Sequence, residues 1–373
     1  MGKNIKVGLA QINSKVGDLK HNFSKISKII QIAKKQKVDL LCFPELAITG
    51  YPPEDLLLNN KFIESTDSMI KQLIKLSKGI NCIVGYPKKI EDKLFNVAGI
   101  FANGKLQGEY KKFQLPNYGV FDENRYFEKG VETETFKIKN QVVGISICED
   151  IWTDLKIINK RISNDNIDLL INLSASPFSI GKQKKRLSIL KTISRKNKIK
   201  VCYCNLVGGQ DELVFDGKSI IVDKTGNIEA HAKEFEEDLL IKKLDFKRNK
   251  AAISQSKRKD EIELEQIYSA LSLGLKDYVE KNGFKKVVLG VSGGIDSALV
   301  SAIAVSTLGS KNVLGLALPT KYNSNKSLDL AKELSKNLKF DLRVAPIQSI
   351  FEDTNKILGD SYGKKSWDVT EEN

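Results

Sequence analysis

Histidine is nearly absent from this chain of 373 residues, in which only His21 and His231 occur. Most zinc sites and the Ser–His–Asp arrangement of hydrolases need histidine as a ligand or a base. We therefore expect any covalent chemistry to use a different base, such as a carboxylate. The sequence also lacks an apolar run long enough to span a bilayer and an apolar segment near its first residue. These absences favour a cytoplasmic protein that does not bind membranes.

Cysteine is sparse and odd in number, with residues at positions 42, 82, 148, 202 and 204. Most of them lie in apolar stretches typical of strands, which favours reduced, buried thiols over disulfides. Cys202 and Cys204 have the spacing that places two side chains on one face of a strand. We prefer this interpretation to a metal-binding pair, because no second pair of ligands lies nearby in the sequence.

Acidic residues are outnumbered, since 60 Lys and Arg face 46 Asp and Glu, which gives a net charge of +14. Such an excess raises the possibility of nucleic-acid binding. The excess is mostly lysine spread along predicted helix faces, without an arginine-rich block or an aromatic stacking motif. We therefore expect a solvated basic surface that binds no nucleic acid and that favours a polyphosphate substrate.

Hydrophobic periodicity predicts a first α/β region over residues 1–244. Its predicted helices cover residues 22–36, 61–78 and about 183–198. Short strands lie between and after them, with hairpins that turn at Asn103-Gly104 and at Thr225-Gly226-Asn227. Helices early in the chain and hairpins later predict a layered α/β sandwich.

A polar, charged stretch over residues 245–261 is predicted to be a linker to a second domain, residues 262–373. Strands and helices alternate in this second region, which predicts a doubly wound parallel α/β sheet. In such a sheet, ligands bind at the carboxyl ends of the strands.

A glycine-rich loop follows the first predicted strand of the second region and precedes an apolar helix. Its residues are Gly290, Val291, Ser292, Gly293, Gly294, Ile295, Asp296 and Ser297. The glycines let backbone N–H groups approach a phosphate, and the helix N-terminus favours negative charge. Asp296 is a candidate ligand for a metal ion on the phosphates. The alternative is a plain strand–helix turn, but we favour a nucleotide site.

The loop has Asp296 where the common nucleotide-binding loop has lysine. It instead resembles the pyrophosphate loop of the ATP pyrophosphatases, which split ATP into AMP and pyrophosphate. This resemblance implies that the residues from Gly290 to Ser297 bind ATP, and that Mg²⁺ on the phosphates is bound by Asp296.

Three reactive side chains in the first region form a second candidate site. Cys148 ends an apolar strand, Glu45 follows another predicted strand, and Lys112 lies in a polar segment after a third. A thiol needs a neighbouring base or cation to become nucleophilic, and with so little histidine that partner must be Lys or Glu. Taken singly, each residue also fits a structural or surface role.

Together these residues resemble the catalytic set of the nitrilase superfamily, whose fold is an α-β-β-α sandwich. The resemblance implies that Cys148 is the nucleophile, Glu45 the base and Lys112 the partner of the oxyanion. It also implies that Glu123, eleven residues after Lys112, supports the site.

Nearly the whole chain is similar to the glutamine-dependent NAD⁺ synthetase family, in which a nitrilase-like amidase precedes an ATP pyrophosphatase domain. The matching segments are 50–57, 115–123, 147–152, 174–178, 207–217 and 290–297. The resemblance implies a carbon–nitrogen ligase that takes ammonia from glutamine and uses ATP to convert deamido-NAD⁺ into NAD⁺. We also expect a homo-oligomer.

The family pattern implies further binding residues. Tyr118, Ser176 and Lys182 match positions that hold glutamine, and Asn373 matches the first contact to deamido-NAD⁺. The family's second domain continues beyond this point, so we expect the synthetase region to be incomplete at its C-terminus.

Two other functions remain open at this stage. A stand-alone glutaminase or amidase with a non-functional, truncated synthetase domain would release glutamate without making NAD⁺. A tRNA-modifying enzyme of the pyrophosphatase superfamily would use the same ATP loop, and its only support is the charge of +14.

Overall fold

The computed structural model describes residues 4–131, 134–246, 259–322 and 324–362. The chain divides into two compact units, Met1–Gly274 and Leu275–Asn373. Most of the predicted linker (residues 247–258) and Asn373 lie outside the described residues.

The first unit contains the strands of two sheets and a hairpin. These strands are β1 (Asn4–Gln11), β2 (Leu40–Cys42), β3 (Asn81–Ile90), β4 (Lys93–Ala102), β5 (Lys105–Lys111), β6 (Thr135–Ile138), β7 (Gln141–Ile147), β8 (Leu169–Ser174), β9 (Lys200–Asn205), β10 (Val207–Gln210), β11 (Leu213–Asp216), β12 (Ile220–Val222), β13 (Ile228–His231) and β14 (Asp238–Asp245). Its helices are α1 (Leu19–Lys35), α2 (Asn60–Leu76), α3 (Leu155–Asn164) and α4 (Lys182–Asn197), and α5 (Lys259–Lys281) runs across the boundary into the second unit.

Each sheet of the sandwich has six strands, in the orders β14-β1-β2-β3-β4-β5 and β13-β12-β9-β8-β7-β6. The central strands β1, β2 and β3 are parallel to one another, as are β7, β8 and β9. Both predicted hairpins are confirmed, since β4 pairs antiparallel with β5 and β12 with β13. The carboxyl ends of the parallel strands therefore meet at one edge of each sheet, where polar loops can gather.

Alternation of side chains along the strands produces three apolar layers. Leu40 faces a core shared by the two sheets, whereas its neighbour Leu41 faces the core under α1 and α2. In the other sheet Ile171 faces the shared core, and Leu170 packs toward Ile158 of α3 and the residues of α4. A strand with both faces buried reads as a continuous apolar run. The predicted α-β-β-α sandwich is confirmed.

Cys202 and Cys204 both face the core between the sheets, while Tyr203 faces the opposite side. The predicted strand with two cysteines on one face is therefore confirmed. All five cysteines of the chain are buried and unbridged.

The second unit is a three-stranded parallel sheet of β15 (Val287–Gly290), β16 (Val313–Ala317) and β17 (Asp341–Val344), in that order. Its helices are α6 (Ile295–Leu308), α7 (Asn325–Leu338) and α8 (Gln348–Tyr362). Strands and helices alternate as the sequence predicts. Across the described ranges, we find no helix whose length and apolar character would let it cross a bilayer.

The sequence analysis did not predict α3, the hairpin of β10 and β11, or strand β14. Strand β14 pairs antiparallel with β1 along its full length, so that Asn4 faces Asp245 and Gln11 faces Asp238. This pairing joins the first and the last strand of the first unit in one sheet. Polar residues in β14 obscured it, because an edge strand can be exposed on one face.

Candidate active site

Four strand ends deliver polar residues to one region of the sandwich. Glu45 follows β2, Cys148 follows β7, Ser176 follows β8, and Asn205 is the last residue of β9. Strands β7, β8 and β9 are parallel, so their carboxyl ends lie at the same edge. This is where ligands bind in parallel α/β sheets.

Lys112 bridges two buried carboxylates. Its Nζ lies 2.6 Å from Oε1 of Glu45 and 2.7 Å from Oε1 of Glu123. Burial alone lowers the pKa of Lys112, but Glu123 and then Glu45 outweigh it and hold that pKa well above its ordinary value. Lys112 is therefore a protonated ammonium group at neutral pH, and the two acids hold it in one position.

The carboxylate of Glu45 is fully buried and held at both oxygens. Oε1 accepts hydrogen bonds from Lys112 and from Nδ2 of Asn96 (2.8 Å), and Oε2 accepts one from the backbone N–H of Ala175 (3.0 Å). Charge-assisted bonds of this kind fix a side chain in one orientation. The carboxylate of Glu45 is thus held in one orientation, as its predicted role as a base requires.

One carboxylate oxygen of Glu123 accepts hydrogen bonds from two donors. Oε1 accepts hydrogen bonds from Lys112 and from the hydroxyl of Tyr51 (2.8 Å), whereas Oε2 is buried without a hydrogen-bond partner among the described residues. Burial raises the pKa of Glu123 to about 7; Lys112 opposes this shift and Glu45 adds to it. One ammonium group cannot fully offset two buried carboxylates. The protonated form of Glu123 is therefore favoured over its carboxylate.

Cys148 has a left-handed backbone, with φ of +38°, at the sharp turn from β7 into a single 3₁₀ turn (Cys148–Ile151). Such a conformation is uncommon for residues other than glycine and is often found at functional sites. Burial raises the pKa of the Cys148 thiol, Glu45 raises it further, and Lys112 opposes both. The resting residue is therefore a neutral thiol, which needs a base to become nucleophilic.

Asp150 ties the turn of Cys148 to the segment that carries Lys112. Its buried carboxylate accepts hydrogen bonds from the Tyr110 hydroxyl (2.7 Å), the N–H of Gln114 (2.9 Å) and the N–H of Ile147 (2.8 Å), and a longer one from Phe113. These contacts lock two loops that are distant in sequence into one arrangement.

A pocket of about 300 Å³ opens onto Cys148. It is lined by Tyr118, Phe121, Cys148, Glu149, Trp152, Ser176, Ser179, Ile180, Lys182 and Lys185. The three predicted glutamine-binding residues Tyr118, Ser176 and Lys182 thus lie in the same pocket as the predicted nucleophile. Small-molecule sites commonly combine an apolar wall with a few polar groups in this way.

The pocket carries charges of both signs. The Lys182 ammonium lies 5.7 Å from the ring centroid of Trp152 and 5.9 Å from that of Phe121. Burial lowers the pKa of Lys182, and the charge of Cys148 would oppose this shift. Opposite charge is provided by Glu149, which accepts hydrogen bonds from the Tyr118 hydroxyl at 3.0 Å to each oxygen. Such a pocket suits a zwitterion.

The sequence analysis missed several residues that hold this site. Glu149 and Asp150 directly follow Cys148, so their position was the available signal. The sequence contains no such signal for Asn96 and Arg186, because each contacts the site only through the packing of separate elements.

The glycine-rich loop connects β15 to α6 in the second unit. Hydrogen bonds of Ser292 and Ser297 stabilise its conformation. The N–H of Ser292 donates to Oγ of Ser297 (3.3 Å), the two hydroxyls lie 3.1 Å apart, and the N–H of Gly294 donates to Oγ of Ser292 (3.2 Å). Gly294 caps α6, whose first turn contains Asp296. Asp296 is exposed, as are Ser292, Gly294 and Ile295.

Gly293 is the position in this loop where only glycine fits. Its φ is +82°, and a Cβ there would lie 2.2 Å from the carbonyl oxygen of Ser327 in α7. The loop and α7 therefore pack backbone to backbone. Among the described residues, we find no cluster of three or more His, Cys, Asp or Glu that would hold a metal ion by itself.

Two family models match this chain. The carbon–nitrogen hydrolase model matches residues 6–253, and the NAD synthase model matches residues 267–373.

Curated relatives match all or nearly all of this chain. A glutamine-dependent NAD(+) synthetase from Thermotoga maritima is 36% identical over 100% of this chain and 70% of the relative. Another from Aquifex aeolicus is 40% identical over 93% of this chain and 66% of the relative.

Solved structures give the same picture. A glutamine-dependent NAD⁺ synthetase from Acinetobacter baumannii, in complex with ADP, has a TM-score of 0.89 and 36% identity and covers 99% of this chain and 70% of its own. An amidase of the nitrilase superfamily from Nesterenkonia sp. has a TM-score of 0.58 at 22% identity, over 65% of this chain and 92% of its own. At this low identity, the second likeness shows a shared fold alone.

Proposed function

The chain belongs to the glutamine-dependent NAD⁺ synthetase family, and from this premise we propose that it forms NAD⁺ from deamido-NAD⁺, ATP and ammonia released from glutamine. The observation that carries the glutaminase half is one pocket that brings together Cys148, Glu149 and Lys182 beside the Glu45–Lys112–Glu123 cluster.

The first step is attack by the neutral thiol of Cys148 on the side-chain amide of glutamine. Glu45 takes the thiol proton as sulfur bonds to the amide carbon, because a thiol with a raised pKa is a poor nucleophile until it is deprotonated. The oxyanion that forms is stabilised by the Lys112 ammonium and a backbone N–H. Lys112 needs no proton transfer for this role, since its pKa is raised.

The intermediate then collapses as its carbon–nitrogen bond breaks. Glu45 returns the proton to the leaving nitrogen, ammonia departs, and a γ-glutamyl thioester remains on Cys148. Water attacks the thioester while Glu45 accepts its proton. The carbon–sulfur bond then breaks, Glu45 returns the proton to the sulfur of Cys148, and glutamate leaves. Glu123 keeps Lys112 in place throughout, because it holds the same Nζ from another direction.

The substrate preference follows from the charges of the pocket. Glutamine carries an α-ammonium and an α-carboxylate, and the pocket offers Glu149 for the first and Lys182 for the second. Tyr118 orients Glu149, and Ser176 adds a polar wall. Simple aliphatic amides lack both charges, so this pairing supports an amino-acid amide as the substrate.

The second reaction is assigned to the glycine-rich loop. A carboxylate oxygen of deamido-NAD⁺ attacks the α-phosphorus of ATP, pyrophosphate leaves, and an acyl adenylate forms. Ammonia then attacks the acyl carbon and AMP leaves, which gives NAD⁺. The residues from Gly290 to Ser297 contact the phosphates through backbone N–H groups and the N-terminus of α6. Asp296 is exposed at this loop and would supply one oxygen ligand to the Mg²⁺ of the ATP substrate.

Further parts of this proposal follow from family membership. The glutaminase domain is residues 1–244, the linker 245–261 and the synthetase domain 262–373. Asn373 contacts deamido-NAD⁺. The protein is cytoplasmic and forms a homo-oligomer, and it binds neither nucleic acid nor membranes.

The test follows glutamate, NAD⁺ and AMP with the 373-residue chain supplied with glutamine, ATP, Mg²⁺ and deamido-NAD⁺. Release of all three by the wild-type protein would support both halves of the proposal. The variant Cys148→Ala should release no glutamate and should form NAD⁺ only when ammonium replaces glutamine. Cys82→Ala is the matched control, since this thiol is equally buried but lies in the core under α1 and α2.

Glutamate release that persists in Cys148→Ala would remove this residue from the nucleophile role. Glutamate without NAD⁺ or AMP in the wild-type chain, even with ammonium, would leave only the glutaminase half of the proposal.

A further inference from the structure

A buried ion pair lies behind the wall of the glutamine pocket. The guanidinium of Arg186, in α4, is 1% exposed and forms a bidentate pair with Asp216 at the end of β11. Its NH1 lies 2.9 Å from Oδ2 of Asp216, and its NH2 lies 3.1 Å from Oδ1. Two parallel bonds fix the plane of a guanidinium as well as its position.

This pair holds Ser176, which lines the pocket. Arg186 NH2 donates to Oγ of Ser176 (3.3 Å) and to its carbonyl oxygen (3.4 Å). Asn205 completes the hold, since its Oδ1 accepts from the N–H of Ser176 (3.0 Å) and its Nδ2 donates to Oδ1 of Asp216 (3.3 Å). Every polar atom of Ser176 is thus engaged from behind by this cluster.

The same segment reaches the catalytic base. Ala175, the neighbour of Ser176, donates its N–H to Oε2 of Glu45. A shift of the Ala175–Ser176 backbone would therefore move a pocket wall and a hydrogen bond to the base together. The buried pair makes such a shift costly, because charges in a low-dielectric interior must keep their partners.

We propose that Arg186, Asp216 and Asn205 are positioning residues that set the geometry of the glutamine pocket through Ser176. None of them lines the pocket itself. The inference rests on the proposed glutaminase function and deepens it, because it states which buried residues determine the affinity for the amide substrate.

The experiment measures KM and kcat for glutamine hydrolysis by two variants of the full chain. Arg186→Lys keeps the charge and loses the planar fork, and the double variant Arg186→Met/Asp216→Leu removes both buried charges at once. Replacing a buried pair by apolar residues of similar volume commonly preserves folding, so the double variant keeps the test valid if the single one unfolds. The folded fraction of each variant is taken from near-ultraviolet circular dichroism.

The matched control is a second buried ion pair, which lies at the other end of strand β9. Lys200 begins β9 and pairs with Glu229 at 2.6 Å, both nearly fully buried, whereas Asn205 ends β9. The two ends are five residues, or roughly 17 Å, apart. The variant Lys200→Met/Glu229→Leu therefore removes a comparable buried pair away from the pocket.

We expect KM for glutamine to rise at least tenfold in both Arg186 variants and to stay within twofold of wild type in the Lys200 control. Partial unfolding alone would lower the folded fraction and kcat, and it would leave KM unchanged. A folded Arg186 variant with KM within twofold of wild type, or a control with an equal rise, would overturn the inference. A wild-type protein that does not hydrolyse glutamine would instead refute the proposed function.

Discussion

At the scale of single residues, the site is defined by one cation shared between two acids. Lys112 contacts Glu45 and Glu123 at nearly equal distances, yet the two acids differ in their further partners. Glu45 is satisfied at both oxygens, and Glu123 keeps one buried oxygen unpaired. The division favours Glu45 as the base and Glu123 as the residue that holds Lys112.

The raised pKa of Glu123 predicts how stability depends on pH. The folded pKa is about 7 against an ordinary value of 4.5, so the folded state binds this proton more tightly than the unfolded state. The resulting stabilisation is fully present below pH 4.5 and is lost as pH rises through about 7. The shift corresponds to about 3 kcal/mol of unfolding free energy.

Urea unfolding at pH 5 and pH 8 measures this effect for wild type and Glu123→Gln. We expect the wild-type free energy of unfolding to fall by about 2–3 kcal/mol more than that of the variant over this interval. The variant is the control, because it retains all other titrating groups. Equal changes in the two proteins would show that another group titrates.

At the scale of elements, each site depends on a strand that ends in a tight turn. The turn after β7 places Cys148 in a left-handed conformation, and the loop after β15 requires Gly293. Both turns are locked by contacts to a second element, through Asp150 in the first case and α7 in the second. The chemistry of each half thus depends on how one turn packs against a neighbour.

Gly293→Ala tests the packing of the nucleotide loop. The added Cβ would collide with the carbonyl oxygen of Ser327, which is backbone and cannot move away cheaply. We expect at least a tenfold loss of ADP affinity by calorimetry. Gly283→Ala is the control: φ there is +77°, but nothing lies within 4 Å, so only the backbone penalty of about 1–2 kcal/mol applies.

In Gly283→Ala the ADP affinity should remain that of wild type, since this glycine lies after α5 and away from the loop. If both variants bind ADP equally well, the close approach of the loop to α7 does not matter for nucleotide binding.

At the scale of the whole molecule, the two α/β units each present strand carboxyl ends that carry chemistry. The net charge of +14 spans the entire chain, and two buried lysines of the first unit, Lys112 and Lys200, are each paired with acids. We expect the remaining lysines, which are spread along helix faces, to form a solvated basic surface.

Because these lysines are dispersed, we expect no measurable tRNA binding at about 0.15 M salt, the condition at which nonspecific contacts are largely screened. Fluorescence anisotropy with labelled tRNA over a salt series gives the measurement, and labelled ADP at the same ionic strengths is the reference. Binding of tRNA that survives at this salt concentration would reopen the tRNA-modifying alternative.

The sequence by itself indicated a layered α/β sandwich, which the family resemblance specified as α-β-β-α, and a parallel second unit. Apolar periodicity and turn residues are local signals, so hairpins such as the one at Asn103-Gly104 could be predicted from a few neighbouring residues. The candidate residues Glu45, Lys112 and Cys148 were found through motifs at strand ends, which are also local.

Only the tertiary structure decided how these residues meet. The pairing of β14 with β1, the Asn96 contact to Glu45 and the hold of Arg186 on Ser176 join residues that lie 10 to more than 200 positions apart. No local pattern encodes such contacts, because they arise when separate elements pack and bury polar groups that must then find partners. The same burial sets the pKa values of Glu123 and Cys148, on which the proposed chemistry depends.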